Sequence, residues 1–195
     1  MGEVPKAEGV VYNHAMPFNR IAMIARWKPV HLGQAAVLRA LCSGAGQVLV
    51  GVGSSNRYNV RNPFTFEETE SMLRFSLDEH DNYEIMPVPD LDDGPRWRAM
   101  VKDDLGELDA FVTDNPYVAH LMQDDYRLMR PVDWLPPSEH LRIDGTTVRV
   151  LMAKGQGWQA WVPERVVQYI QENHLDERFR REFGLETLAM QSVIK

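Results

Sequence analysis

Cysteine is almost missing from this chain: Cys42 stands alone among 195 residues. An intramolecular disulfide and any zinc site built from several thiolates are therefore excluded. The lone thiol reads as a buried helical residue. No apolar run approaches the ~20 residues that span a bilayer, and the amino terminus lacks the basic-then-apolar build of a signal peptide. Cytoplasmic residence with no membrane partner is the resulting expectation. Basic residues are outnumbered, with 21 Lys and Arg against 28 Asp and Glu for a net charge of -7. That balance argues against nucleic acid as a partner, yet a local cluster of cations could still hold a small anion. His14, His80, His120, His140 and His174 show no metal-ligand spacing, so no protein-held metal is expected. Gly51 and Gly53 lack the third glycine and the immediate helix of a dinucleotide fingerprint. No internal repeat or low-complexity linker interrupts the chain.

What is present suits one soluble domain: 44% hydrophobic and 25% charged residues at this length supply a substantial core. Residues 20–25 read as a buried strand, followed by a loop and a helix over about 32–43 that Gly44 ends. Gln47 to Gly53 is a second strand. Thr65 and Glu68 have capping-box spacing, which predicts a helix from there to about His80. Tyr83 to Val88 and Leu108 to Thr113 read as further strands, with a short one near Arg127–Met129. Asn115-Pro116 starts a short helix, Asp144 opens another that runs to about Lys154, and Pro163 begins a third toward Asn173. This alternation predicts an α/β fold, a Rossmann-like doubly wound parallel sheet with a helical C-terminal segment. The expected divisions are an extension at 1–19, a domain over 20–172 and a helical tail at 173–195.

Two stretches suit phosphate. Arg26-Trp27-Lys28-Pro29-Val30-His31-Leu32-Gly33-Gln34 joins a strand to a helix, and Asp144-Gly145-Thr146-Thr147-Val148-Arg149 opens a helix. Helix N-termini offer unpaired N–H groups and the positive end of the dipole, and both stretches add cations.

The first stretch resembles the G-R-F-x-P-x-H-x-G-H motif of the nucleotidyltransferase superfamily, and the second resembles its S-G-T-x-I-R motif. Between them, Gly51-Val52-Gly53-Ser54-Ser55-Asn56 and Arg61-Asn62-Pro63-Phe64-Thr65 are similar to the second-strand loop of the archaeal-type nicotinamide mononucleotide (NMN) adenylyltransferases. Pro89-Asp90-Leu91 with Trp97 resembles that family's nicotinamide-binding segment, and Thr113-Asp114-Asn115-Pro116 its fourth-strand loop. Together these span residues 20 to about 172.

The resemblance implies adenylyl transfer from ATP to NMN, giving NAD and pyrophosphate, with Mg²⁺ carried by ATP. His31, Gln34 and Arg149 would serve catalysis, and Arg26, Trp27, Lys28, Gly33, Asp144, Thr146 and Thr147 the ATP phosphates. Ser54, Arg61, Asp90, Leu91, Trp97 and Asn115 would form the acceptor side, with Trp97 stacked on the pyridinium ring. Relatives often assemble, so a homo-oligomer is compatible with the resemblance.

Taken singly, several of these residues have plainer readings. His31 alone would be an ordinary helix-start histidine, and Trp97 alone a core residue. Asp92 with Asp93, Asp103 with Asp104, and Asp124 with Asp125 read as solvated. The main departure is Gln34, where the family has its second histidine. A glutamine amide donates a hydrogen bond but carries no charge, and losing a charge-assisted contact at a reacting phosphate costs about 2–4 kcal/mol. Slow turnover is therefore expected. Ala25 stands for the family's leading glycine, Trp27 for its aromatic and Asp144 for its serine. Two alternatives stay open: a nucleotidyltransferase for a different phosphate monoester, and a nucleotide-binding protein with little catalysis. No Nudix-type hydrolase motif is present.

Overall fold

The computed structural model describes residues 18–193, so most of the expected N-terminal extension lies outside the described residues. Five strands form one sheet: β1 (Phe18–Ala25), β2 (Ala45–Gly53), β3 (Tyr83–Val88), β4 (Ala110–Val112) and β5 (Leu128–Met129). Their order is β3-β2-β1-β4-β5, and every neighbouring pair is parallel. β1 begins at Phe18 rather than at residue 20. Its side chains are apolar on both faces: Ile21 and Met23 join one buried cluster and Ala22 the other. A strand covered by helices on both sides needs this pattern. The register sets Ile24 opposite Gly51, where an added Cβ would lie 2.6 Å from Ile24 Cγ1. Glycine is what lets β1 and β2 pair there.

Seven α-helices cover the sheet: α1 (Leu32–Gly44), α2 (Phe66–Ser76), α3 (Gly94–Leu105), α4 (Pro116–Met122), α5 (Gly145–Ala153), α6 (Glu164–Glu172) and α7 (Leu175–Val193). Leu38 and Leu41 of α1, Met72 of α2, Val148 of α5, Val166 of α6 and Phe179 of α7 are buried in the larger cluster. Val101 and Leu105 of α3 and Met122 of α4 are buried in the smaller one. The helix after β1 and the helix after β4 thus lie on opposite faces of two adjacent strands. That divergence opens a crevice at the carboxyl ends of β1 and β4.

Two elements differ from the sequence reading. Gly94–Leu105 was not expected as a helix, because Asp-Gly-Pro opens it and only Val101 and Leu105 are fully buried. It forms because Asp93 caps it, accepting a bond from the Arg96 amide at 2.9 Å. Of the carboxylates read as solvated around it, Asp103 and Asp104 are exposed, whereas Asp125 meets Arg98 at 2.5 Å and Lys102 at 2.8 Å. At the other end of the chain, α7 is helical as read, and its Phe179 is fully buried among residues of the main core. Elsewhere α2 stops at Ser76, short of His80, where turns close the segment through Leu77 N–H to the Arg74 carbonyl.

Candidate active site

A cavity of about 1010 Å³ opens at the carboxyl ends of β1 and β4. One wall comes from the β1–α1 loop and the first turns of α1 and α5. Trp27 fixes that loop. Its backbone adopts a left-handed conformation (φ 56°), its ring is fully buried, and Nε1 donates to the Gly51 carbonyl at 2.8 Å. The indole belongs to the core, and Trp27 contributes to the cavity lining as part of the loop that it anchors.

Lys28, next in the loop, is buried and donates from Nζ to the Ser54 carbonyl at 3.2 Å. Burial pushes its pKa down to about 8, Arg26 adding to the shift and Asp90 opposing it. His31 is the N-cap of α1. Its Nδ1 accepts from the Gln34 amide at 3.3 Å, and Gln34 Oε1 accepts from the His31 backbone N–H at 3.4 Å, a reciprocal capping box. With Nδ1 accepting, the ring proton sits on Nε2. Burial lowers the His31 pKa to about 4 against the pull of Asp144, so the ring is a neutral donor at pH 7. Gln34 has its oxygen engaged, which leaves the –NH₂ group as what it offers the cavity it lines.

Arg149 closes the wall from α5. It is buried, with one amino group on the Lys28 carbonyl at 3.0 Å and the other on Thr146 Oγ1 at 3.2 Å. These bonds bring together two stretches 121 positions apart. Gly145 makes room for them, because a Cβ there would stand 3.2 Å from the guanidinium. Burial, and then repulsion from Arg26 and Arg61, hold Arg149 down at about 10, with Asp144 opposing. Among the described residues, Arg26, Lys28, Arg61 and Arg149 form no ion pair. Cations left unpaired beside a cavity, two of them buried, are stabilised when an anion arrives. Thr147 does not share this role. Its side chain lies outside the cavity lining, and its amide is bonded to the Asp144 carboxylate at 2.7 Å. Thr146 remains at the edge. A Cβ on Gly33 would make only ordinary contacts with His31 and Ile143.

The opposite wall is acidic and aromatic. Asp90 is clasped by Asn56, which donates to its carbonyl at 2.9 Å and accepts from its amide at 2.8 Å. Arg57 pairs with both Asp90 and Asp92, and Asp92 is exposed, in keeping with the solvated turn read from the sequence. Ser54, Leu91 and Trp97 line the cavity, and Trp97 is half-buried against the smaller core cluster. Asn115 caps α4 through Oδ1, with the Tyr117 amide at 3.0 Å, so only its –NH₂ remains for a ligand. Arg61 is exposed and outside the lining; it reaches the site through its field at Arg149. Tyr117 and His140 are among the lining residues that the sequence reading did not place at the site. Tyr117 lies in the first turn of the helix after β4, a position that the switch-point rule alone would have flagged.

No family model matches the chain. Relatives are nevertheless plain. The nicotinamide-nucleotide adenylyltransferase of Methanoculleus marisnigri is 33% identical over 165 residues, covering 83% of this chain and 95% of its own length. That of Aeropyrum pernix is 33% identical over 169 residues, covering 83% and 96%. This chain belongs to the nicotinamide-nucleotide adenylyltransferase family. A bifunctional NMN adenylyltransferase/ADP ribose pyrophosphatase from Francisella tularensis, complexed with AMP and a manganese ion, shares the fold at a TM-score of 0.64 and 16% identity. The alignment covers 91% of this chain but 54% of that protein.

Proposed function

We propose that this chain transfers the adenylyl group of ATP to nicotinamide mononucleotide, forming NAD and pyrophosphate. A phosphate oxygen of the mononucleotide bonds to the α-phosphorus of ATP, and the bond from that phosphorus to the α–β bridging oxygen breaks. The attacking group is already an anion, so no protein nucleophile is needed. Catalysis then consists of aligning two polyanions and stabilising charge as it moves onto pyrophosphate. His31 would donate from Nε2, Gln34 from its amide, and Lys28 and Arg149 would hold non-bridging oxygens, Arg149 through its planar fork. Arg26 and Thr146 would complete the phosphate side. The open Gly33 surface would let phosphate approach the α1 amides. Trp97 would face the pyridinium ring, favoured by about 1–2 kcal/mol when shielded from water, with Asp90, Leu91 and Asn115 around the carboxamide and Arg61 near the mononucleotide phosphate. No cluster of three or more His, Cys, Asp or Glu able to hold a metal exists among the described residues. Mg²⁺ would arrive on ATP, held by phosphates and water, and would neutralise phosphate charge.

One observation carries the reading: Lys28 and Arg149, neither in an ion pair, line one cavity together with His31, Asp90 and Trp97. That polarity suits a substrate anionic at one end and cationic at the other. The test is incubation with ATP, MgCl₂ and either nicotinamide mononucleotide or other phosphate monoesters, followed by product identification. NAD and pyrophosphate in equal amounts are expected. A dinucleotide formed only with another monoester, or nucleotide binding without product, would sink the proposal.

A further inference from the structure

The loop between β2 and α2, residues 54–65, touches both walls of the cavity. Its Ser54 carbonyl receives Lys28 Nζ on the phosphate side, and its Asn56 clasps the Asp90 backbone on the acceptor side. Its Arg57 adds ion pairs to Asp90 and Asp92 on the acceptor side, and a further set of contacts runs away from the site, to α7. Tyr58 donates its hydroxyl to Glu182 at 2.5 Å, and its ring meets Phe183 edge-on with centroids 5.2 Å apart. Arg178 lies over the Tyr58 ring at 5.7 Å, donates to the Pro63 carbonyl at 3.1 Å, and forks onto Glu68 at 2.5 and 2.7 Å. Glu68 in turn closes the capping box of α2 with Thr65. One guanidinium therefore grips the middle of the loop, its end and the helix that follows.

Resting on the adenylyltransferase reading, we infer that Arg178 and Tyr58 are positioning residues: α7 sets the 54–65 loop, and through it the placement of Lys28 and Asp90 across the cavity. Neither residue lines the cavity, so any effect must pass through the loop. The Arg178–Glu68 pair is partly buried, with side chains 23% and 16% exposed, which distinguishes it from surface pairs that hold nothing in place. Burial and the bond to Glu182 raise the Tyr58 pKa to about 12, so the hydroxyl stays a donor across the working pH range.

The experiment compares Arg178→Ala, Arg178→Lys and Tyr58→Phe with Arg165→Ala. Arg165 pairs with Asp78 on the surface, at a site that shares no bond with the loop. Steady-state kinetics are measured well below each melting temperature. For Arg178→Ala, kcat/KM for the mononucleotide should fall about tenfold with a raised KM, as expected when remote misplacement loosens a reacting geometry. Arg178→Lys should recover part of the loss, Tyr58→Phe should lose less, and Arg165→Ala should match wild type. A merely structural role would instead lower the melting temperature and leave both KM values of the folded enzyme unchanged, and that result overturns the inference. If Arg178→Ala fails to fold, Tyr58→Phe decides the matter by the same KM criterion. If wild type makes no NAD, the functional reading fails separately. The clamp is then judged by amide hydrogen exchange over residues 54–62, which should quicken in Arg178→Ala and not in Arg165→Ala; equal exchange would overturn it.

Discussion

Replacing Gln34 by histidine probes the position where the first motif's resemblance would put a second histidine. In the structure Gln34 does two things. Its backbone N–H fixes His31 Nδ1 at 3.3 Å, and its side-chain oxygen accepts from the His31 N–H at 3.4 Å. Gln34→His keeps the first bond, because any residue supplies it. The second is long, and its loss should cost no more than about 0.5 kcal/mol of stability. The gain lies in a donor able to become cationic. Lys28, Arg149 and Arg26 oppose that charge in the empty cavity, so the new imidazole should take up its proton only with nucleotide bound. A charge-assisted contact made at the moment of transfer is worth roughly 2–4 kcal/mol, and half of the lower figure would already raise kcat about fivefold. The expected result is a kcat increase of about tenfold or more with a smaller change in ATP KM, because the added interaction favours the transition state. The assay is initial-rate NAD formation, with protein folding checked in parallel and His31→Ala as the control that should depress activity. An unchanged or lower kcat in folded, ATP-binding Gln34→His protein would refute the reasoning and mean that the neutral amide suffices.

Trp97→Ala should weaken binding of nicotinamide mononucleotide or NAD while leaving ATP affinity nearly unchanged by calorimetry; equal loss for both ligands would make Trp97 structural. Lys28, held near 8 instead of 10.5, should lose its charge as pH rises, so ATP affinity should decline from about pH 7.5 to 9.5. Lys28→Met should flatten that decline. Over the same window folding stability should rise, because between 8 and 10.5 the unfolded chain binds a proton that the folded one has released. His31 acts on the acid side. Its folded pKa of about 4 against 6.5 means that stability falls as pH drops from 6.5 toward 4, and His31→Phe should reduce that slope in urea titrations. Trp27→Phe removes the bond to the Gly51 carbonyl inside the core and should cost about 1–3 kcal/mol of unfolding free energy; a cost near zero would mean that the indole does not anchor the loop.

Much of this was legible in the sequence because its causes are local. β3 was read at its observed ends, since turn residues bound a short β-prone run. The starts of α1, α2, α4 and α5 followed from His31, Thr65, Asn115 and Asp144, each of which caps its own helix within three residues. The alternation of elements determined the parallel, doubly wound sheet, and two phosphate-suited motifs pointed to the family. Tertiary structure decided what depends on partners distant in the chain. Trp27 looks like an exposed motif aromatic until the Gly51 carbonyl claims its N–H. No local pattern links Asp92 to Arg57, its ion-pair partner 35 positions away, and α3 needs the smaller core cluster to bury its narrow apolar stripe. Arg149 could be assigned to phosphate from its motif, but only folding brings it onto the Lys28 carbonyl and leaves both cations buried with no close ion pair. The grip of α7 on the β2–α2 loop was equally invisible, because Arg178 and Glu68 lie 110 positions apart and no local pattern links them. Hydrophobic period and capping act within a few residues and can be read along the chain, whereas desolvation and charge pairing depend on neighbours that only the folded chain supplies.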